Sequence, residues 1–445
     1  MNGAISQDRR HRPLAGLSLA VAAAAVAITL GGLAAHNPVV GLAAAGVVLA
    51  IGLTVAEPAI IPVLAMPASL VVARIGVGGT DLSVADLALF AATWPAVFLG
   101  GRPFSLGVRR ILWAVAAYEA VTFLSVLATP THVGAIEWVH QLFLLAGSLL
   151  VGWTVGRRGL ARVGFTLMIL AAVVIATLAI ITAARAYSTG LFAPAYVRWP
   201  YPMHKNAIGT SLGVIAAALY TRPHWLRWPR WLYGAVTGYL VLGVVVAQSR
   251  QAIVGFLVAA LVIVWRDPRR RRQRGWITLA AAGGLALVFT LVKDQVDSGN
   301  QHNSVYQRLD WFAQSLEMAR TGLWFGHGNR WWYTSAFDIT FQPPNAEIEV
   351  LTTTGILGLI AFLGVMLTIL LELWRLPAGI GMFGFVAVAS RLVQAQFDIF
   401  WLTVESSIPF ILAGLALGVQ EFERPSIAAV ELDARRTRVL AAAGD

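Results

Sequence analysis

The chain has 445 residues, of which 58% are hydrophobic and only 12% charged, with a formal net charge of +11 and a mean hydropathy of +0.72. A soluble domain carries about a quarter charged residues, so composition excludes an ordinary globular protein and points to a polytopic membrane protein. With no cysteine, the chain has neither a disulfide framework nor a thiolate metal site.

Taken in order, apolar runs long enough to cross a bilayer fall near 14–35, 38–55, 57–75, 84–100, 110–128, 136–154, 163–186, 205–221, 231–248, 251–265, 276–293, 348–372, 379–397 and 406–420. This makes about 12 to 14 spans in one integral membrane domain over 1–445, with 57–75 broken by prolines and 251–265 short. Gly32-Leu33-Ala34-Ala35 faintly resembles a signal cleavage site, but its apolar run is too long for a signal, so it reads as the first span. No internal repeat, coiled coil or separate soluble domain is evident.

Apart from Lys205 and Lys293, every basic residue is arginine. The positive-inside rule places the amino terminus, the loops bearing Arg102/Arg109/Arg110, Arg157/Arg158/Arg162, Arg222/Arg227/Arg230, Arg266–Arg274 and Arg375, and the 421–445 tail in the cytoplasm. The arginine run between two spans is then a topology anchor, and nucleic acid is not an expected partner. Topology leaves Arg74, Arg185, Arg198, Lys205, Arg250, Lys293, Arg308, Arg320, Arg330 and Arg391 unexplained, and these become candidates for function.

On the opposite, outer face three stretches stand out. The first, Arg198-Trp199-Pro200-Tyr201-Pro202-Met203-His204-Lys205-Asn206, leads into a membrane helix whose free N–H groups favour an anion, though an interfacial aromatic belt with snorkelling cations would look similar. The second, Gln248-Ser249-Arg250-Gln251, is a tight turn that holds a guanidinium at the apolar boundary, where a planar fork of donors suits a phosphate or diphosphate.

The third is the long loop 294–347, the expected seat of chemistry. The apolar spacing from Trp311 to Ala319, flanked by Arg308 and Asp310, predicts an amphipathic helix on the lipid surface. Gly326-His327-Gly328-Asn329 is a turn in which His327 is structural or binds substrate. Trp324, Trp331, Trp332 and Tyr333 suit either sugar stacking or interfacial anchoring. Asn345 is placed to cap the next helix, with Glu347 and Glu349 in its first turn. The alternative for Glu347 is a general base beside a cluster of arginines. Farther on, Arg391 and Asp398 share one face of a span, as a structural pair or a functional one.

Together, Arg308…Trp311, Gly326-His327-Gly328, and Asn345-Ala346-Glu347-Ile348-Glu349-Val350-Leu351 followed by Gly355-Ile356-Leu357-Gly358-Leu359 resemble the outer loop and re-entry helix of the bacterial O-antigen ligase and polymerase-like superfamily. Ser249-Arg250, Arg198…His204-Lys205-Asn206 and Phe397-Asp398 resemble further short motifs of that family, and the likeness covers roughly 80–420 in architecture. The resemblance implies an all-α, GT-C-like membrane glycosyltransferase working without metal or other cofactor. Its donor would be a glycan on a polyprenyl diphosphate, its acceptor a hydroxyl on lipid, protein or glycan, and its site the outer face of the bacterial cytoplasmic membrane.

Carried over residue by residue, Arg250 and Arg308 would hold the diphosphate, assisted by Arg198 or Lys205, with His204 or Glu347 activating the acceptor. Asn206, His327, Arg330, Asn345, Arg391 and Asp398 would line the substrate path. The chain departs from the family in one place: Pro344 stands where the family has a histidine, leaving His204, Glu347 or His327 to take that role. Two other classes fit less well. A transporter or flippase of lipid-linked glycans would show inverted repeats and midplane charges, whereas a non-catalytic scaffold would not need Arg250, Arg308 and Lys205 together.

Overall fold

The structure is a computed structural model that describes residue 29 and residues 38–74, 82–99, 103–297, 304–334, 337, 339, 341–397 and 404–424. Two units are distinguished, Met1–Ile60 and Ile61–Asp445. In the first, helix α1 spans Pro38–Ala56. In the second, helices joined by loops are the only extended elements among the described residues, which otherwise hold just the isolated bridges Arg74 to Ser83 and Val197 to Met203. An all-helical fold is the one expected of backbone that must satisfy its own hydrogen bonds in lipid.

Next is α2 (Ile60–Ala68), which holds Pro67 and ends one residue later, within the proline-rich run 57–75 expected to be broken. Next come α3 (Val84–Leu99), α4 (Leu106–Ala128) and α5 (His132–Leu142), which continues through one π-helical turn into α6 (Ser148–Arg157). They are followed by α7 (Ala161–Ser188), α8 (Lys205–Tyr220), α9 (Arg230–Val246), α10 (Arg250–Arg266) and α11 (Arg274–Asp297). The chain continues with α12 (Ser304–Thr321), α13 (Ala346–Arg375), α14 (Ala378–Ala395) and α15 (Ser407–Glu423). Among the described residues, five helical stretches are long and apolar enough to cross a membrane: Leu106–Ala128, His132–Arg157, Ala161–Ser188, Ala346–Arg375 and Ala378–Ala395. The protein is therefore an all-α polytopic membrane protein.

Helix α8 is the core. Every residue from Asn206 to Leu219 is buried, and α7, α9, α10, α14 and α15 all pack on it. Large apolar side chains such as Trp113, Phe98 and Leu127 instead face outward along the bundle, as lipid contact requires. The tightest crossing joins α6 to α15. A Cβ at Gly152 would meet the Ile411 carbonyl and one at Gly414 the Leu149 carbonyl, while Gly156 and Gly418 repeat the arrangement one turn on. Small residues four apart on both helices let the backbones touch where lipid gives helix association no hydrophobic drive.

Helix α13 is not continuous, although the apolar run 348–372 predicts an unbroken span. At Gly355 the backbone leaves helical geometry (φ 70°, ψ −169°). The freed polar groups are satisfied by the preceding loop. The His327 and Gly328 N–H groups donate to the Thr352 and Thr353 carbonyls at 2.9 Å, and the Ile356 N–H donates to the Leu323 carbonyl at 2.8 Å. Ser125 Oγ on α4 adds a bond to the Thr353 carbonyl at 2.7 Å. Irregular backbone inside a membrane bundle is tolerated where protein groups replace the lost bonds, so the loop and the break in α13 form one structure.

Candidate functional site: a cationic cluster at two helix starts

Helices α8 and α10 begin side by side. Gly209 on α8 lies so close to Ser249, which precedes α10, that a Cβ there would come within 2.2 Å of the serine Cβ. Lys205 is the first residue of α8 and Arg250 the first of α10. The half-buried Lys205 ammonium interacts electrostatically with the guanidinium groups of both Arg250 and Arg308, the latter on α12. Three cations therefore gather at two adjacent helix N-termini, whose dipoles add further positive potential. Like charges repel, and an arrangement that holds them together is stabilised by an anion.

The chain around α8's start is locally ordered. Val197 and Met203 close a turn through a Met203 N–H to Val197 carbonyl bond at 2.8 Å, which leaves Arg198 exposed on its rim. Within the turn, Tyr201 donates to the Leu70 carbonyl at 3.3 Å, and burial, with the Glu405 carboxylate nearby, holds its phenol above the ordinary pKa. His204 is the N-cap. Its Nδ1 accepts from the Asn206 N–H at 3.2 Å, and its ring meets Tyr196 edge-on. Because Nδ1 is the acceptor, the neutral ring carries its proton on Nε2, which makes His204 a donor toward an anion rather than a free base. Asn206 is buried one residue into α8.

The start of α13 and the end of α14 form the other wall. Asn345 caps α13 through Oδ1, which accepts the Ile348 N–H at 3.0 Å, and Glu347 and Glu349 occupy the first turn as predicted. Asn345 Nδ2 donates to Gln396 Oε1 at 3.0 Å, and Gln396 Nε2 donates to Glu347 Oε1 at 2.7 Å. The next residue, Phe397, offers its carbonyl to the Arg308 guanidinium at 2.9 Å. Two residues before Gln396, the side chain of Gln394 reaches α8 and α10, where it closely approaches Gly213 and Gly255. The last turn of α14 thus connects the cationic helix starts to the carboxylate of α13.

Other sequence candidates are held elsewhere. Arg330 pairs with Glu137 on α5, and Glu137 in turn contacts His140 Nδ1 at 3.1 Å, while His140 Nε2 contacts Asp86 on α3 at 2.9 Å. His327 lies beneath α12, with Nε2 on the Met318 carbonyl at 2.9 Å and Thr321 Oγ1 at 3.1 Å, and its ring packs on Phe337. Trp331 and Trp332 are buried with Met318 as a small core of their own, whereas Trp324 and Tyr333 are exposed. The former pair is therefore neither a sugar platform nor an interfacial anchor. Arg391 is buried in α14, its guanidinium on Ser406 Oγ at 3.3 Å. Asp398 lies outside the described residues, as do the run 14–35, except for its residue 29, and the tail beyond Arg424. Pro344 is buried just before the Asn345 cap.

Gln396 escaped the sequence reading because a neutral amide at the end of an apolar run has no hydropathy or charge signature. Glu137, His140 and Asp86 lie outside the three outer-face stretches, in or beside apolar runs whose spans they do not interrupt. A search for acidic groups within spans would have found them.

Fold and site together define a polytopic helical membrane protein in which three cationic side chains gather at paired helix starts. Residues 235–363, from α9 to the middle of α13, match the family model described as O-Antigen ligase. The matched stretch contains Arg250, Arg308, Asn345 and Glu347, so over these residues the chain is similar to that family. No curated protein matches the chain.

Proposed function

We propose that this protein is an O-antigen ligase-like glycosyltransferase that moves a glycan from a polyprenyl-diphosphate carrier to a hydroxyl acceptor. It would act in surface polysaccharide ligation or polymerisation, at the outer face of the cytoplasmic membrane with both termini inside. The observation that carries this reading is the gathering of Lys205, Arg250 and Arg308 at two helix N-termini. Such a cluster is matched to a compact, multiply charged leaving group.

In the proposed reaction the acceptor oxygen attacks the anomeric carbon, and a new C1–O bond forms as the bond to the diphosphate breaks. The bonding pair leaves with the diphosphate, where Arg250, Arg308 and Lys205 stabilise the growing negative charge, with His204 Nε2–H as a further donor. The acceptor proton passes to the Glu347 carboxylate, whose Oε2 is enclosed and accepts no hydrogen bond from the described residues. An incoming hydroxyl would satisfy that oxygen. Cationic side chains in these positions supply the charge that a divalent ion provides in other transferases, so the reaction is expected to run without metal. Arg198 on the rim would meet the donor's exposed part.

Binding of the leaving group tests this reading. Purified full-length protein should bind polyprenyl diphosphate, and Arg250→Ala or Arg308→Ala should weaken that binding by roughly tenfold or more, the scale of one charge-assisted contact. Undiminished binding by both variants would remove the cluster as the diphosphate site.

A further inference from the structure

We propose that Gln396 is a positioning residue for the transfer reaction, holding the Glu347 carboxylate in register with Arg308; the inference rests on the reading of Glu347 as the base.

The geometry is closed on all sides. Gln396 uses both ends of its amide: Nε2 donates to Glu347 Oε1 at 2.7 Å and Oε1 accepts from Asn345 Nδ2 at 3.0 Å. A second bond from Nε2 to the Leu392 carbonyl at 3.2 Å ties the side chain to its own helix. The orientation of both amides follows from chemistry. Flipping Gln396 would set its carbonyl against a carboxylate and its NH2 against the Asn345 NH2. Asn345 cannot turn to compensate, because its Oδ1 is committed to the Ile348 N–H.

This fixes which carboxylate oxygen remains for chemistry. Oε1 is clamped, and Oε2 accepts no hydrogen bond from the described residues. Because Phe397 holds Arg308 by its carbonyl, the base and a leaving-group cation are referenced to α-carbons about 3.8 Å apart. A shift of this turn would displace both groups together, and misplacement of about 1 Å is enough to cost orders of magnitude in rate.

The test compares wild type, Gln396→Ala, the isosteric Gln396→Glu, Glu347→Gln and the double variant Gln396→Ala/Glu347→Gln as full-length proteins, each checked for folding by thermal unfolding in detergent. The expected result is a kcat lowered roughly 10- to 100-fold in the Gln396 variants, as for groups that orient a reacting residue, with donor KM within about threefold of wild type because the diphosphate contacts remain. In the Glu347→Gln background, removing Gln396 should lower kcat no further. If Gln396→Ala fails to fold, Gln396→Glu assayed at alkaline pH carries the test, since its ionised carboxylate keeps the size but cannot donate. Full kcat in a folded Gln396 variant, or losses that multiply in the double variant, would overturn the proposal while leaving Glu347 as base. A fully active Glu347→Gln would overturn the base assignment and the proposal with it.

Discussion

Arg308 and Glu347 are held by adjacent residues of one turn: the Arg308 guanidinium donates to the Phe397 carbonyl at 2.9 Å, and Glu347 Oε1 accepts from the Gln396 amide at 2.7 Å. A cation suited to a leaving group and a carboxylate suited to an acceptor are thereby set by the end of a single helix, α14. Helix α14 also packs on α8 and α10, the helices that bring Lys205 and Arg250.

Charge alone does not define the role of Arg250. A lysine keeps the charge but loses the planar fork that engages two oxygens at once. Arg250→Lys should therefore retain partial activity, and Arg250→Ala should lose about 10²-fold or more in kcat/KM. Steady-state transfer kinetics on the two variants distinguish the contributions, and equal loss in both would show that fork geometry dominates.

The two carboxylates of α13's first turn should behave differently. Glu349 is buried and accepts from Gln342 Nε2 at 2.9 Å, which marks it as part of the loop's packing. Glu349→Gln is expected to lower thermal stability. Glu347→Gln should instead leave the melting temperature within a few degrees of wild type and lower kcat by roughly 10²- to 10⁴-fold. Thermal unfolding and turnover measured on the same preparations check both.

Loop docking through Arg330 should be costly to break from one side. Arg330 and Glu137 are both largely buried, and removing the guanidinium takes away one of the two basic groups described at this carboxylate, the other being His140. Arg330→Leu is expected to destabilise by about 1–3 kcal/mol. Adding Glu137→Leu should recover part of that loss, so the double variant will be less damaged than the two single effects combined. Chemical denaturation in a fixed detergent measures the cycle.

Gly355 should tolerate no side chain. Its backbone lies in a region open essentially to glycine alone, and a Cβ would approach the Trp324 carbonyl to 2.2 Å. Gly355→Ala is expected to cost about 2 kcal/mol or more and to expose the 322–328 segment to protease, because that segment and the α13 break satisfy one another's backbone. Limited proteolysis mapped by mass spectrometry would show cleavage there.

Much of this architecture was legible in the chain. Hydropathy marked the apolar segments, the prolines of 57–75 marked a broken helix, and Asn345 before two glutamates marked a helix start, because each signal is local. The cationic cluster was legible in part: the positive-inside rule isolated Lys205, Arg250 and Arg308, but nothing in the sequence shows that α8, α10 and α12 bring them together. The break at Gly355 was hidden because its hydrogen bonds come from residues some thirty positions earlier and from Ser125, far away in sequence. Arg330 looked like an unexplained cation for the same reason, since its partner Glu137 lies on a distant helix.

The proposed function requires Arg250, Arg308 and Lys205 to hold a diphosphate while a glycan is transferred. Its most direct measurement is release of free polyprenyl diphosphate from a polyprenyl-diphosphate-linked oligosaccharide. The assay would use purified wild type and Arg250→Ala in detergent, a hydroxyl-bearing envelope extract as acceptor, and EDTA throughout. Release by wild type is expected, coupled to glycan appearing on the acceptor, with little or none by the variant. Donor binding by wild type without release, or equal release by both proteins, would contradict it.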